Sequence, residues 1–468
     1  MFNPFKCFAF IRLNMVVEVE FLICNFIKTS NMNLNPVKSF LILCIAIAIV
    51  VLPNYSTAQT GNPFKKTALL YLNSDSSVSV RLIGLAHLHA RYIQLNEGSI
   101  GPDNQKTDAN TDLAISRICV GTVVSAKKLT LYYLLGTASQ TVTTGRLGNF
   151  YTYESWISYQ LIPKYFTLGT GLSLYNGLSR YSSLSISQLL QVEPIWSALP
   201  TAARTDQFGR QFQVFGIGNI GRFEYRTALV RPFIIPTPAL DQSVKTNISF
   251  EYPSNKFGVE GYYSFQFFDL EDIRNSAKSF AYLGKKKIFN VGFGFEYQPR
   301  AAVSLTETRQ EEYHNTLSMA ADLTLDIPTA KGGSFSIYAV GFNYDYGPNF
   351  ARTIGTMNYF TGGTGAQGAG NNEFFVGTGK AAHIQIAYLF GKPLTKLQSK
   401  IQAYYTATYK SFEALKDPSL QHSIGLNYYI FDHNAKIGLQ YVNRPEYTKD
   451  LELDAYKSSV LMQLQVTF

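Results

Sequence analysis

Residues 460–468 read Val460-Leu-Met-Gln-Leu-Gln-Val-Thr-Phe468, and their strict alternation is that of a β-strand. Val460, Met462, Leu464, Val466 and Phe468 fall on one face, and Lys457, Ser459, Leu461, Gln463, Gln465 and Thr467 fall on the other. Successive side chains of a strand point to opposite sides. This strand therefore needs an apolar medium on one side and a mostly polar one on the other, and it ends flush at an aromatic residue.

Composition points the same way. Charged residues make up 16% of the chain, against roughly 25% in ordinary soluble proteins. Aromatic residues reach 14%, with 31 Tyr and 34 Phe but only 2 Trp. Mean hydropathy is −0.02, which excludes a bundle of membrane helices. Few charges, many aromatics and neutral hydropathy fit strands that are apolar outside and polar inside, the signature of a transmembrane antiparallel β-barrel.

The N-terminal region reads as an export signal. Residues 41–52 form the only long apolar run, after Lys38 and before Ser56, Thr57 and Ala58. A basic residue, a short apolar core and a small-residue exit define a secretory signal peptide, and the run is too short to span a bilayer. The expectation is a signal region over residues 1–58, cleaved after Ala58. Met32 is the natural start, which leaves residues 1–31 as an untranslated upstream stretch or an extended signal. Cys44 loosely matches a lipoprotein signal, but apolar residues run on past it. Cys7, Cys24 and Cys44 all precede the cleavage point, so Cys119 remains alone and no internal disulfide is expected.

Residues 59–75 form a short N-terminal segment, and 76–468 carry recurring period-two patterning broken by alternately short and long connections. Eighteen segments read as strands, among them 244–252 and the weakest, 276–283. Merging that one with a neighbour gives sixteen. Tight turns at 125–127, 163–164, 253–256, 285–286, 328–332 and 431–434 belong at the periplasmic end, and long connections belong outside. An even count returns both ends of the barrel to the same side. The Gly-rich run 361–370 lacks the lysine and hydroxyl of a phosphate-binding loop and reads as a flexible outer loop. Asn247 heads a glycosylation-like triplet inside an expected strand and is discounted.

Parity assigns the lumen. Arg81, His87, His89 and Arg91 face inward on the first strand, as do Arg117, Glu154, Arg222, Glu224 and Arg226 on later ones. His383, Gln385, Lys400, Gln402, Lys410, Lys436, Gln440 and Lys457 join them. Bases outnumber acids on this face, which favours anions in a wide, wet lumen; ordinary solvated residues with no useful selectivity are the alternative. Loop 177–210 is the third long connection and carries Arg180, Arg204 and Arg210 beside Glu193 and Asp206. A long loop without structure of its own is often functional, so the expectation is a constriction, against a purely external loop. His87 and His89 share a face but have no third metal ligand, and solvated histidines are the expected reading. No Ser/His/acid set and no paired carboxylates stand out, so no enzyme, cofactor or metal is expected.

Three stretches resemble the phosphate-selective porin family of O and P type. Residues 427–441 match its aromatic strand, His-Asn-x-Lys turn and following strand. Residues 112–121 are similar to its early Arg-containing strand, and Glu154-Ser-Trp156 to its Glu-x-Trp strand. The Tyr-rich strands suggest a Bacteroidetes-type member. The resemblance implies a trimeric outer-membrane porin with an inward third loop. Phosphate-binding members use a dense ladder of Arg and Lys at the constriction. Here the loop offers only Arg180, Arg204 and Arg210, so the pore carries over and the phosphate specificity does not.

The expected function is passive diffusion of small hydrophilic solutes across the outer membrane, with a weak preference for anions such as phosphate. Expected partners are outer-membrane lipid, the solutes, two further copies in a homotrimer, and the barrel-assembly machinery through the Phe468 strand, with no nucleic acid. The rivals are a lipase-like barrel enzyme and a structural or adhesive barrel with a closed lumen.

Overall fold

A computed structural model describes residues 69–468 apart from 138–139, 142–149, 174–176, 200–209, 232–248, 251–255, 273–276, 307, 309 and 392–398. The expected signal region, most of segment 59–75 and Arg204 lie outside the described residues.

Sixteen antiparallel strands close into a barrel. In chain order they are β1 (Val78–Gln94), β2 (Ala109–Ala126), β3 (Leu129–Thr137), β4 (Phe150–Ile162), β5 (Phe166–Ser173), β6 (Gln211–Ile220), β7 (Phe223–Arg231) and β8 (Gly258–Gln266). They continue as β9 (Ile288–Leu305), β10 (Glu311–Pro328), β11 (Ser334–Asp345), β12 (Gly379–Leu389), β13 (Lys400–Phe412), β14 (Ser419–Phe431), β15 (Ala435–Tyr447) and β16 (Leu453–Thr467). Each pairs with its neighbours in sequence, and β16 returns to β1 from Leu85↔Thr467 to Ile93↔Ser459. Closure leaves no unpaired barrel edge, which a strand spanning hydrocarbon requires. The short strand Leu69–Tyr71 pairs beside Ser79–Arg81 at one rim.

The count of eighteen is corrected to sixteen. Segment 276–283 is not a strand over its described residues: it belongs to a long connection, and Lys278 makes only an isolated bridge. Of 244–252, only Ser249–Phe250 is described, as a two-residue pairing with Val303 and Ala302 of β9.

Alternation sorts the side chains as strand parity requires. Leu82, Leu88, Phe293, Ile386, Tyr405 and Leu426 are exposed on the outer surface. Tyr165, Phe223, Phe265, Phe335, Tyr388 and Phe390 are exposed near the rim of short turns, the place of an aromatic girdle. His89, Arg91, Glu224, Gln385, Gln402, Gln463 and Gln465 are buried inside. At the turn rim, Lys127 (φ 54°) and Gly221 (φ 61°) open two-residue turns with the positive φ that suits the strand twist.

The interior is not a wide, wet lumen. Residues 177–199 of the third loop, the sixth long loop (346–378) and residues 277–283 of the connection 267–287 pack inside the barrel. Leu178, Tyr181, Leu190, Ile195 and Trp196 of the third loop share an apolar cluster with Phe280 and Leu283. Tyr338, Phe342 and Tyr344 of β11 and Phe374 and Phe375 of the sixth loop belong to the same cluster. The Gly-rich run is hydrogen-bonded to the first long loop. Its Thr361–Gly362 pairs with Ser99–Ile100, and Gly363 and Thr364 donate to Gly98 and Glu97 carbonyls.

Candidate functional site: a constriction inside the barrel

The third loop starts from β5 and returns to β6, but its middle is bonded to the opposite wall. Its 3-10 turn Arg180–Ser183 is capped by Ser179, whose side chain accepts from the Ser182 N–H. The Arg180 backbone N–H donates to Asp322 of β10 at 2.6 Å. Further along, Gln191 donates to Thr406 of β13 at 2.9 Å, and the Val192 N–H donates to Gln440 of β15 at 2.7 Å. Lys436 donates to the Leu189 carbonyl at 2.8 Å, and Asn427 to that of Leu190 at 2.8 Å. The Trp196 indole donates to Thr356 of the sixth loop at 3.2 Å. Polar strand side chains thus satisfy a loop backbone that would otherwise be buried without partners.

Two voids lie against the described part of the loop. One of about 70 Å³ lies on the side of the long loops, lined by Glu193, Glu373, Lys410, Gln421, Gln440 and Arg444 among others. One of about 250 Å³ lies on the side of the short turns, lined by Arg117, Tyr132, Tyr153, Glu154, Arg210 and Phe468 among others. Pro194 and Trp196 line both, so this segment is the partition between them.

The residues expected to line the lumen are dispersed around this partition. Arg91 is buried and pairs with Asp112 through Nε at 2.8 Å and Nη2 at 2.7 Å, and its Nη1 donates to the Thr356 carbonyl. Arg117 lines the larger void. Glu154 accepts from Arg210 at 3.1 Å, and the Arg210 guanidinium lies 4.1 Å from the Tyr153 ring centre. Arg226 donates to Glu224 at 2.9 Å, both fully buried. Arg81 is exposed at the turn rim. Arg222 sits in the exposed turn rather than on a strand, where it donates to the carbonyls of Gln266, Phe267 and Phe268. His87 and His89 are not solvated: both are buried, 2.9 Å from Gln465 and 2.8 Å from Gln463.

Most inward bases have a carboxylate partner. Lys410 pairs with Glu373 at 3.1 Å and Lys457 with Glu446 at 3.0 Å. Three donate hydrogen bonds to neutral oxygens: Lys400 to Leu283, Lys436 to Leu189, and Arg444 to Asn96, Gln94, Gly370 and Asn372. Fixed positive charge inside the barrel is therefore smaller than the count of bases.

Connection 267–287 supplies the partners that strand parity missed. Glu271 grips Arg180 with both oxygens, at 2.7 and 2.8 Å. Tyr282 touches both groups. Lys278 donates to Glu224 at 2.6 Å and lies 3.5 Å from Glu271. Burial by itself would raise the Glu271 carboxyl, but Arg180, Lys278 and the hydrogen bonds outweigh it and hold the group well below the carboxylate range. The signal in the sequence is the break in alternation at Phe267-Phe-Asp-Leu-Glu-Asp272, where two aromatics are followed by three acids within four residues.

No family model and no curated protein matches the chain. Solved structures do. OmpF of Salmonella typhi, in complex with daunomycin, matches at TM-score 0.50 and 10% identity over 84% of this chain and 99% of its own. OprB of Pseudomonas putida, in a high-pH structure, matches at TM-score 0.50 and 8% identity over 84% and 95%. The outer membrane channel DcaP of Acinetobacter baumannii lies further off, at TM-score 0.46 and 12% identity over 84% and 99%. At these identities the likeness defines the fold: a porin-like transmembrane β-barrel.

Proposed function

We propose that the chain is an outer-membrane porin through which small hydrophilic solutes diffuse passively. The observation that carries this reading is the partition: a loop folded across a closed barrel, with a void on either side and Pro194 and Trp196 lining both. A barrel that is apolar outside, with polar strand residues inside, suits a channel across lipid. In this reading the short turns face the periplasm and the long loops the exterior.

A weak preference for anions such as phosphate is part of the proposal. It is supported by Lys400 and Lys436, inward bases that donate to the carbonyls of Leu283 and Leu189 rather than to a carboxylate. A homotrimer follows from the resemblance to phosphate-selective porins, and recognition of the Phe468 strand by the assembly machinery from that strand's likeness to the closing strand of outer-membrane barrels. Single-channel conductance in planar bilayers tests the pore. Well-resolved current steps are expected, and a folded protein that passes no current sinks the reading. Reversal potentials in a KCl gradient test the selectivity. A barrel with a closed lumen is the second reading, favoured by the apolar cluster inside the barrel, and the same conductance measurement separates the two.

A further inference from the structure

Five connections at the turn rim are short: 127–128, 163–165, 221–222, 329–333 and 432–434. Connection 267–287 is different. Its feet continue the β8–β9 ladder, with the Phe267 N–H donating to Phe289 at 2.8 Å and the Asp269 N–H to Lys287 at 3.0 Å. A tight turn would fit there. Instead the chain runs into the barrel.

Inside, it meets the third loop backbone to backbone. The Lys278 N–H donates to Ser183 at 2.7 Å, the Ser185 N–H donates to Lys278 at 2.8 Å, and the Phe280 N–H donates to Gln188 at 3.3 Å. The Phe280 ring packs 4.8 Å from that of Tyr181. The far end reaches the β14–β15 hairpin, where His433 Nε2 lies 2.8 Å from the Ala281 carbonyl. Lys285 pairs with Asp432 at 2.7 Å on the surface.

We propose that connection 267–287 is a specificity-determining element: it latches the third loop across the lumen and so sets the largest solute that passes. This rests on the porin reading. A loop as long as the third one has many open conformations, and holding it in one place costs conformational entropy. The latch offsets that cost with a buried charge cluster. Arg180 of the loop is held by Glu271, and Lys278 bridges Glu271 to Glu224 of the wall. Each charge is buried, so each needs its partner; taking one away leaves the other desolvated and unpaired.

Two variants of the full chain test this. In one, residues 270–286 are replaced by a two-residue turn between Asp269 and Lys287. In the other, Glu271→Gln, the carboxylate is lost and the shape kept. Heat-modifiable gel mobility reports whether each barrel is folded. Single-channel conductance and liposome swelling with neutral sugars of increasing size report the opening. The shortened variant is expected to conduct several-fold more than the parent and to pass larger sugars, with Glu271→Gln intermediate. A folded parent that passes no current overturns the porin reading, and the latch with it, whatever the variants do. Folded variants with the parent's conductance and size limit overturn it while leaving the porin reading intact. If the shortened chain does not fold, Glu271→Gln decides alone. No current from any of the three overturns the channel reading and the latch with it.

Discussion

Phe468 closes the barrel against Gly84. The two residues exchange both backbone hydrogen bonds, Gly84 N–H to Phe468 O and Phe468 N–H to Gly84 O, each at 3.1 Å. The aromatic ring lies over the glycine, 2.2 Å from where a Cβ on residue 84 would stand. An aromatic side chain covering a neighbouring strand's glycine is a known device for pinning register. Here it pins the seam where β16 meets β1.

The first prediction follows from that seam. Gly84→Ala pushes only the outer end of a flexible ring and is expected to cost under about 1 kcal/mol, whereas Gly84→Leu is expected to cost about 1–3 kcal/mol by overpacking. Phe468→Ala introduced beside Gly84→Leu is expected to recover part of that loss. Urea unfolding in lipid vesicles measures each variant, and strictly additive effects would show that the ring and position 84 do not interact.

Trp196 and Pro194 separate the two voids. Trp196→Ala removes the larger wall and its hydrogen bond to Thr356, and is expected to raise single-channel conductance without moving the size limit as far as the shortened connection does. A conductance equal to the parent's would place the narrowest point elsewhere.

Selectivity is expected to track the inward bases that donate to neutral oxygens. A Lys436→Met and Arg444→Met double variant should shift the reversal potential in a KCl gradient toward cations. Arg222→Ala should shift it less, because that guanidinium caps carbonyls on the exposed turn. Equal shifts would mean that the mouth, not the interior, controls the preference.

The charge cluster also predicts a pH response. Glu271 faces Arg180 from the third loop, Lys278 and Tyr282 from its own connection, and Asn290 from β9. Glu224 and Arg226 of β7 stand behind Lys278. The Glu271 carboxyl is held well below its ordinary value of 4.5. A depressed carboxyl contributes stability above its unfolded value and loses it as pH falls through the folded one. The hold that Glu271 exerts on the loop should therefore stay constant from about pH 8 to about pH 5, and the open states it holds back should grow only in stronger acid. Glu271→Gln should abolish that acid response. A response centred near neutrality would point to a different group.

Strand parity carried a long way. The inward faces of β1 and β16 follow from alternation alone, and His87, His89, Arg91, Gln463 and Gln465 are buried where it puts them. The third loop was legible as functional from its length, and as inward only through the resemblance to porins. The connection 267–287 was not. Its residues 276–283 alternate well enough to pass for a strand, and a local pattern does not say whether a segment pairs within the wall or crosses the barrel. Arg180, Arg210 and Arg226 were legible as inward bases, but their partners Glu271, Glu154 and Glu224 could not be matched to them. Two of those pairs join residues from distant parts of the sequence.

What this sequence determined by itself is the two-faced wall. A period of two needs only neighbours along the chain, and it sorts apolar from polar side chains before any strand has found its partner. What only the tertiary structure decided is the state of the lumen. Whether an inward arginine is a free charge, half of a buried pair or the anchor of a loop depends on which segments meet inside the barrel. Closure brings together Arg180 and Glu271, 91 positions apart, and the energy of that contact depends on their separation in space and on the water excluded around them.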